Sequence, residues 1–284
     1  MSEAEERSAN QQREHRSEAE ERRANQHFGE QGGLLSYGSY LQLDKLLSAQ
    51  VLESNPPAHD ELLFITIHQV YELWFKQLLH ELETARDLML ETDDRWTPRH
   101  LLDRAAVIER VLVTQVDVLE TMTPQDFLAF REYLNPASGF QSVQFRELEF
   151  LSGLKDERYL QRLRSSTSFE ADRLRKRLDE PTLWDGFLAV LARTGLSVED
   201  LDARTESLRR VSANRAEYGA VWDLAEGLLN HDQMAAQWRA RHVVMVERQI
   251  GGKTGTGGST GAEYLRSRLD IRYYPELWAL RSAL

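Results

Sequence analysis

The stretch from His59 to Leu90 constrains the fold more than any other. Leu63, Ile67, Val70, Tyr71, Trp74, Leu78, Leu82 and Ala85 recur at spacings of three and four, the period of an α-helix. Leu62, Phe64, Ile65, Leu73, Phe75 and Leu79 fill the remaining faces. A helix apolar nearly all round belongs in an interior, because one partner cannot cover it. Pro56-Pro57 punctuates the chain just before it, and Asp60-Glu61 suit the first turn. The run predicts a long central helix with others packed around it.

The rest of the chain supplies those partners. Thr97-Pro98 predicts the start of a second helix, with Leu101, Leu102, Ala105, Ile108, Leu112, Val116 and Leu119 on one stripe. Thr123-Pro124 predicts a third, running through Leu134 and ended by Asn135-Pro136. Both starts put proline at the first helical position, where its missing N–H does no harm. Residues 140–151 read as helical, 156–193 as charged peripheral helices, and 198–250 as mostly helix with breaks near Asn214 and Asn230. Strand alternation and Asn-Gly hairpin turns do not stand out. The expectation is an all-α domain, a helical bundle with added peripheral helices. Residues 1–30 differ: SEAEERSANQ at 2–11 recurs as SEAEERRANQ at 17–26, with almost no apolar residue to bury. We expect a solvated polar tail over 1–30 and a single domain over 31–284, with peripheral helices at about 155–217.

Composition narrows the chemistry. Without cysteine the chain cannot form disulfides, thiolate zinc sites, iron–sulfur clusters or a thiolate-ligated haem. A net charge of −11 argues against nucleic acid and anionic membrane as partners. No run reaches the roughly 18 apolar residues of a membrane span, and no secretory signal is visible, so a cytoplasmic location is expected. Histidine can then be audited. His15 and His27 lie in or beside the tail, His80 and His100 sit among polar neighbours, and His59 adjoins a helix start. His231 and His242 would stand about 16 Å apart on one helix, too far to share a metal. His68 and His242 remain, each readable as a core histidine bonded to a carbonyl or as a site residue.

His242 precedes a loop, Gly251–Gly261, in which six of eleven residues are glycine. Its Gly252-Lys253-Thr254 resembles the end of a Walker A motif, but Glu247 stands where the first glycine is needed and the loop follows a helix. The loop reads either as a linker or as a closure in which Thr256 and nearby N–H groups meet a small ligand. Arg131, on a face with Phe127, reads either as a surface residue or as a buried anion clamp.

Taken together, these segments resemble the tryptophan 2,3-dioxygenase family. The resemblance rests on YGSYL at 37–41, HDELLFITIHQVYELWFKQLLHELE from His59 and LETMTPQDFLAFREYLNPASGFQSVQFRELE from Leu119. WRARHVVMVERQIGGKTGTGGSTG from Trp238 and GAEYLRSRLDIRYYPELW from Gly261 complete it. It spans about Leu35 to Trp278, is weakest over 155–217 and is absent from the repeated tail. It implies an all-α homotetramer with one haem b per subunit, acting on L-tryptophan and O₂. His242 matches the proximal iron ligand, and His68 the distal histidine facing the indole N–H. Arg131 matches the guanidinium that binds the substrate carboxylate, and Thr256 the loop threonine at its ammonium and carboxylate. Phe64 and Phe127 would wall the indole pocket, and Ser138 would lie near the haem. Tyr37, Tyr40 and Leu41 match a segment that reaches a neighbouring subunit's pocket. Phe127 stands where some members have tyrosine, which touches one polar contact. The implied reaction inserts both oxygen atoms across the indole C2–C3 bond to give N-formyl-L-kynurenine. The alternative is an indole monooxygenase, or a dioxygenase of the same fold acting on a modified tryptophan.

Overall fold

A computed structural model describes residues 35–159, 168–256 and 261–284; the repeated segment at 1–30 lies outside them. The described residues form helices and turns with no strand among them. The chain divides between Val51 and Leu52 into two compact units. In the first, helices α1 (Tyr37–Leu41) and α2 (Leu43–Leu47) meet at Gln42, which takes a left-handed conformation. A reciprocal Ser36–Ser39 capping box starts α1, and Tyr37, Tyr40 and Leu41 on it are exposed.

The second unit is built on three long helices: α3 (Glu61–Glu91), α4 (Trp96–Leu119) and α10 (Arg215–Ile250). α4 packs along both of the others. Leu78, Leu82 and Ala85 of α3, Leu102 and Ala105 of α4, and Val221, Leu224 and Leu228 of α10 share one buried core. The central helix expected from the sequence is present, except that Leu62 and Leu73 remain half exposed on one face. Around it lie α5 (Pro124–Phe130), α6 (Val143–Leu151), α7 (Ser168–Asp179), α8 (Leu183–Arg193), α9 (Leu201–Ala213), α11 (Ala262–Arg266) and α12 (Pro275–Leu280).

Several local details depart from the sequence pattern. α4 begins two residues before Pro98, because Asp94 Oδ1 accepts from the Trp96 and Thr97 amides at 3.0 and 3.1 Å and so caps an earlier start. α5 does start with proline, inside a Thr123–Asp126 capping box, but it tightens into a 3-10 turn over Arg131–Leu134. The break at Asn214 is real. At Asn230 α10 runs on unbroken, since that residue lies within a stretch whose neighbours Leu228, His231 and Asp232 are all buried. The helix α8, expected at the periphery, has Leu183, Phe187 and Leu191 fully buried in the core. Gly186 eases this approach: a Cβ there would sit 3.1 Å from the Arg86 carbonyl and 3.2 Å from Met89 Cβ, so a side chain would have to push α3 away by a few tenths of an ångström. α7 does lie outside, tied on by Arg173 and Arg177 to the buried Glu147 of α6. No described helix is long and apolar enough to cross a membrane.

One polar cluster sits inside this apolar packing. Ser152 donates its hydroxyl hydrogen to the Leu148 carbonyl at 2.7 Å, so His231 Nε2–H must donate to Ser152 Oγ at 2.8 Å. His231 Nδ1 stands 2.6 Å from Glu109 Oε1. Burial works against a charged His231, but Glu109 and Asp232 outweigh it and the net shift of its pKa is upward. Asp232, fully buried, accepts at one oxygen from the Tyr273 amide (2.8 Å), the Tyr274 amide (3.1 Å) and the Trp278 indole (2.9 Å). It thereby fastens the C-terminal segment to α10. Replacing Asp232 by alanine strands three buried donors, and we expect a loss of about 3–5 kcal/mol. Asp232→Asn, which keeps an acceptor, should lose less. Urea unfolding of the three proteins checks this, and equal midpoints would remove the role.

Candidate active site

In the second unit, helix faces and loops enclose a cavity of about 290 Å³. Two helices present matching stripes to it. Phe64, His68, Tyr71 and Phe75 of α3 follow the spacing i, i+4, i+7, i+11, as do Trp238, His242, Met245 and Gln249 of α10. The first residue of each stripe is aromatic and the second is histidine.

His68 Nδ1 lies 2.7 Å from the Phe64 carbonyl of its own helix. A carbonyl can only accept, so Nδ1 carries the hydrogen and neutral His68 has its Nε2 left as an acceptor. Its accessible surface opens into the cavity while protein surrounds it; burial pulls its pKa down, against the Phe64 carbonyl and Glu72, which raise it. The Phe64 ring leans on the imidazole at 4.1 Å and stands 5.7 Å from Phe127 and 5.5 Å from the fully buried Phe130. Three phenyl rings thus make an apolar wall beside one hydrogen-bond acceptor.

His242 has a different environment. It makes no hydrogen bond among the described residues; Trp238, one turn earlier, stacks on it at 4.9 Å with planes 17° apart. Burial, with a smaller contribution from His68, lowers its pKa to about 4. At neutral pH it is an uncharged imidazole facing a cavity, the form that ligates metals.

The third wall carries polar groups. Arg131, on the 3-10 turn after α5, donates to the Thr254 carbonyl of the glycine loop. Thr256 Oγ donates to the Ala137 carbonyl at 2.8 Å. These bonds join the loop to the turn that follows α5. At the loop's far end Gly261 has φ +60°, and a Cβ there would fall 2.7 Å from the Lys253 carbonyl, so glycine is required. The loop follows α10, not a strand, and Gln249 Nε2 pins the end of that helix to the Met122 carbonyl at 2.7 Å. Ser138 caps the 3-10 turn Gly139–Gln141 and also lines the cavity.

Seven of the residues singled out from sequence therefore line one cavity: Phe64, His68, Phe127, Arg131, Ser138, His242 and Thr256. Tyr37, Tyr40 and Leu41 belong to the other compact unit. Residues 20–204 and 208–284 match the family described as tryptophan 2,3-dioxygenase. The chain belongs to the tryptophan 2,3-dioxygenase family. Curated relatives carry the same name. One from Nocardioides sp. (strain ATCC BAA-499 / JS614) is 65% identical over 90% of this chain and 97% of its own length. Another from Herpetosiphon aurantiacus is 46% identical over 88% and 98%. A third from Myxococcus xanthus is 41% identical over 89% and 90%. As a member of this family the chain is an oxidoreductase of the dioxygenase class.

Sequence reasoning passed over several lining residues of this dioxygenase. Trp238 and Arg239 were findable, since they stand four and three positions before His242 on the same helix. Glu72, one turn after His68, accepts from Ser142 at 2.6 Å and Gln144 at 2.8 Å, and so ties α3 to the start of α6. Arg146 and Glu149 gave only a faint signal, two charges three apart on a short helix.

The depressed pKa of His242 has a consequence for the ligand-free protein. Between pH 6.5 and about 4 the unfolded chain takes up a proton that the folded chain refuses. Stability from this group is therefore complete above pH 6.5 and lost as pH falls toward 4. Denaturant midpoints should drop less steeply with acidification in His242→Phe than in the parent chain; parallel curves would contradict the assigned environment.

Proposed function

We propose that this chain is a haem-dependent dioxygenase that inserts both atoms of O₂ across the indole C2–C3 bond of L-tryptophan, giving N-formyl-L-kynurenine. The observation that carries the reading is His242: a neutral imidazole with no hydrogen bond among the described residues, facing a cavity walled in part by aromatic rings, in a chain whose relatives are named tryptophan 2,3-dioxygenase. The donor set suits haem b. One nitrogen ligand on a helix and apolar walls for a flat ring system are present, and thiolates are absent from the sequence. Held by His242, that group supplies the binding and activation of O₂.

The remaining work belongs to the chain. His68 Nε2 accepts the indole N–H and orients the ring, with no need to remove its proton. Phe64 and Phe127 press on the ring faces and exclude water. Arg131 grips the carboxylate as a planar fork, which a lysine could not reproduce. Thr256 meets the ammonium and carboxylate from the loop, and Ser138, which lines the cavity, would lie beside the haem. Trp238 holds the plane of His242 by stacking. In this reading the exposed Tyr37, Tyr40 and Leu41 serve a neighbouring subunit's pocket in a homotetramer, and the enzyme is cytoplasmic. A monooxygenase, or an enzyme for a modified tryptophan, is not favoured, because Arg131, Thr256 and His68 together suit the free amino acid.

Turnover of L-tryptophan under ¹⁸O₂ should place two labelled oxygens in the first-formed product; a single label would overturn the dioxygenase reading. His242→Ala should lose the Soret band after haem supplementation together with activity, and full activity would refute the ligand assignment. Arg131→Ala should lower kcat/KM by roughly 10- to 150-fold, the worth of a charged hydrogen bond of about 1.5–3 kcal/mol. An unchanged kcat/KM would remove Arg131 from substrate binding.

A further inference from the structure

A second, smaller cavity shares a wall with the first. It measures about 40 Å³, and Phe75, Phe145, Trp238 and Arg239 border both spaces. Glu109 of α4, His231 of α10 and Tyr273 also line it. Glu109 and Arg239 are almost wholly buried, at 7% and 6% exposed. This volume exceeds the ~10–15 Å³ that one water needs, and it falls far short of the roughly 300 Å³ at which pockets for organic ligands begin.

The polar groups here are balanced in charge but not in hydrogen bonds. His231 Nε2 carries a hydrogen, which Ser152 Oγ accepts, and the 2.6 Å contact of Nδ1 with Glu109 Oε1 requires one more between those two atoms. With a single hydrogen in that contact, His231 and Glu109 are neutral as a pair. Arg239 offsets Asp232, whose Oδ1 stands 4.0 Å from it, too far for a direct hydrogen bond. Glu109 and Arg239 act on each other electrostatically. Yet Glu109 Oε2 and Arg239 Nε are both buried without a hydrogen-bond partner among the described residues, and Asp232 Oδ1 is a second unpaired acceptor. Leaving such groups unpaired in a low-dielectric site is costly. An added ion would upset the charge balance there. The species that fits is small, neutral, and able both to donate and to accept.

We propose that the small cavity is a binding site for one internal water, which donates to Glu109 Oε2 and accepts from Arg239 Nε. Asp232 Oδ1 is available to its second hydrogen. The water joins α4 to α10 where neither side chain bonds the other directly. Arg239 lies three residues before His242, so the bridge helps to hold the stretch of α10 that carries the larger cavity's histidine. The site belongs to the fold itself and does not rest on the function proposed for the larger cavity.

Crystals of the full chain, grown with bromide as the only halide and diffracting well enough to show ordered water, test the assignment. A single peak should lie within hydrogen-bond distance of Glu109 Oε2 and Arg239 Nε, with no anomalous signal at the bromine edge. No peak at that position, a direct Glu109–Arg239 bond, or a bromide signal there would each overturn it. In solution, oxygen-17 relaxation dispersion counts internal waters of long residence. Glu109→Leu, which removes the acceptor, should hold one fewer than the parent chain. An equal count in a folded Glu109→Leu protein also overturns the site, and the crystal result on the parent chain decides whatever that variant's folding.

Discussion

The continuity of α10 from its kink at Tyr218 through to Ile250 underlies the rest of the structure. Its first half carries Val221, Leu224 and Leu228 into the main core, and its middle carries His231 and Asp232 into the buried polar cluster. Its second half delivers Trp238, Arg239 and His242 to the cavity, and its end is pinned through Gln249. Because rise and rotation per residue are fixed in an α-helix, securing the middle sets the azimuth of everything beyond it. The Asp232 bonds to the C-terminal segment therefore influence where His242 points, although the two lie ten residues apart in sequence.

Electrostatics divide the interior into two regimes. In the core cluster, carboxylates sit beside a histidine and raise its affinity for protons. At the cavity both histidines are pushed the other way, His242 to about 4, because burial there is not offset by a nearby acid of comparable strength. Two histidines on one helix thus have opposite tendencies, and the difference is made by the groups facing them from α4 and α3. Glu109 stands against the first; His68 stands against the second.

Much of this was legible in the sequence, in proportion to how local its cause is. The central helix, the start of α5 and the break at Asn214 all follow from periodicity or capping chemistry within a few residues. The pairing of His68 with His242 came from resemblance, not periodicity, which left each open between a core histidine and a site residue. The misjudged features are the non-local ones. α8 looks weakly apolar until Gly186 brings it against α3. Asn230 looks like a helix breaker until its buried neighbours hold the helix through it. The start of α4 was set by an aspartate side chain reaching forward, which outcompeted the proline rule. Glu109 and Arg239 could not be grouped from sequence, since they come from separate helices.

The bond between Arg131 and the Thr254 carbonyl changes what recognition means at this site. The guanidinium does not wait in water for a carboxylate; it already holds a backbone oxygen of the glycine loop. Under the role proposed for Arg131, ligand entry is an exchange of one acceptor for another, and its affinity measures only the difference between them. A molecule with an indole and no carboxylate has nothing to offer in that exchange, so the loop keeps its hold on the arginine. The loop then acts as a reference ligand, and discrimination between free amino acid and bare indole is set partly by how well the chain binds itself.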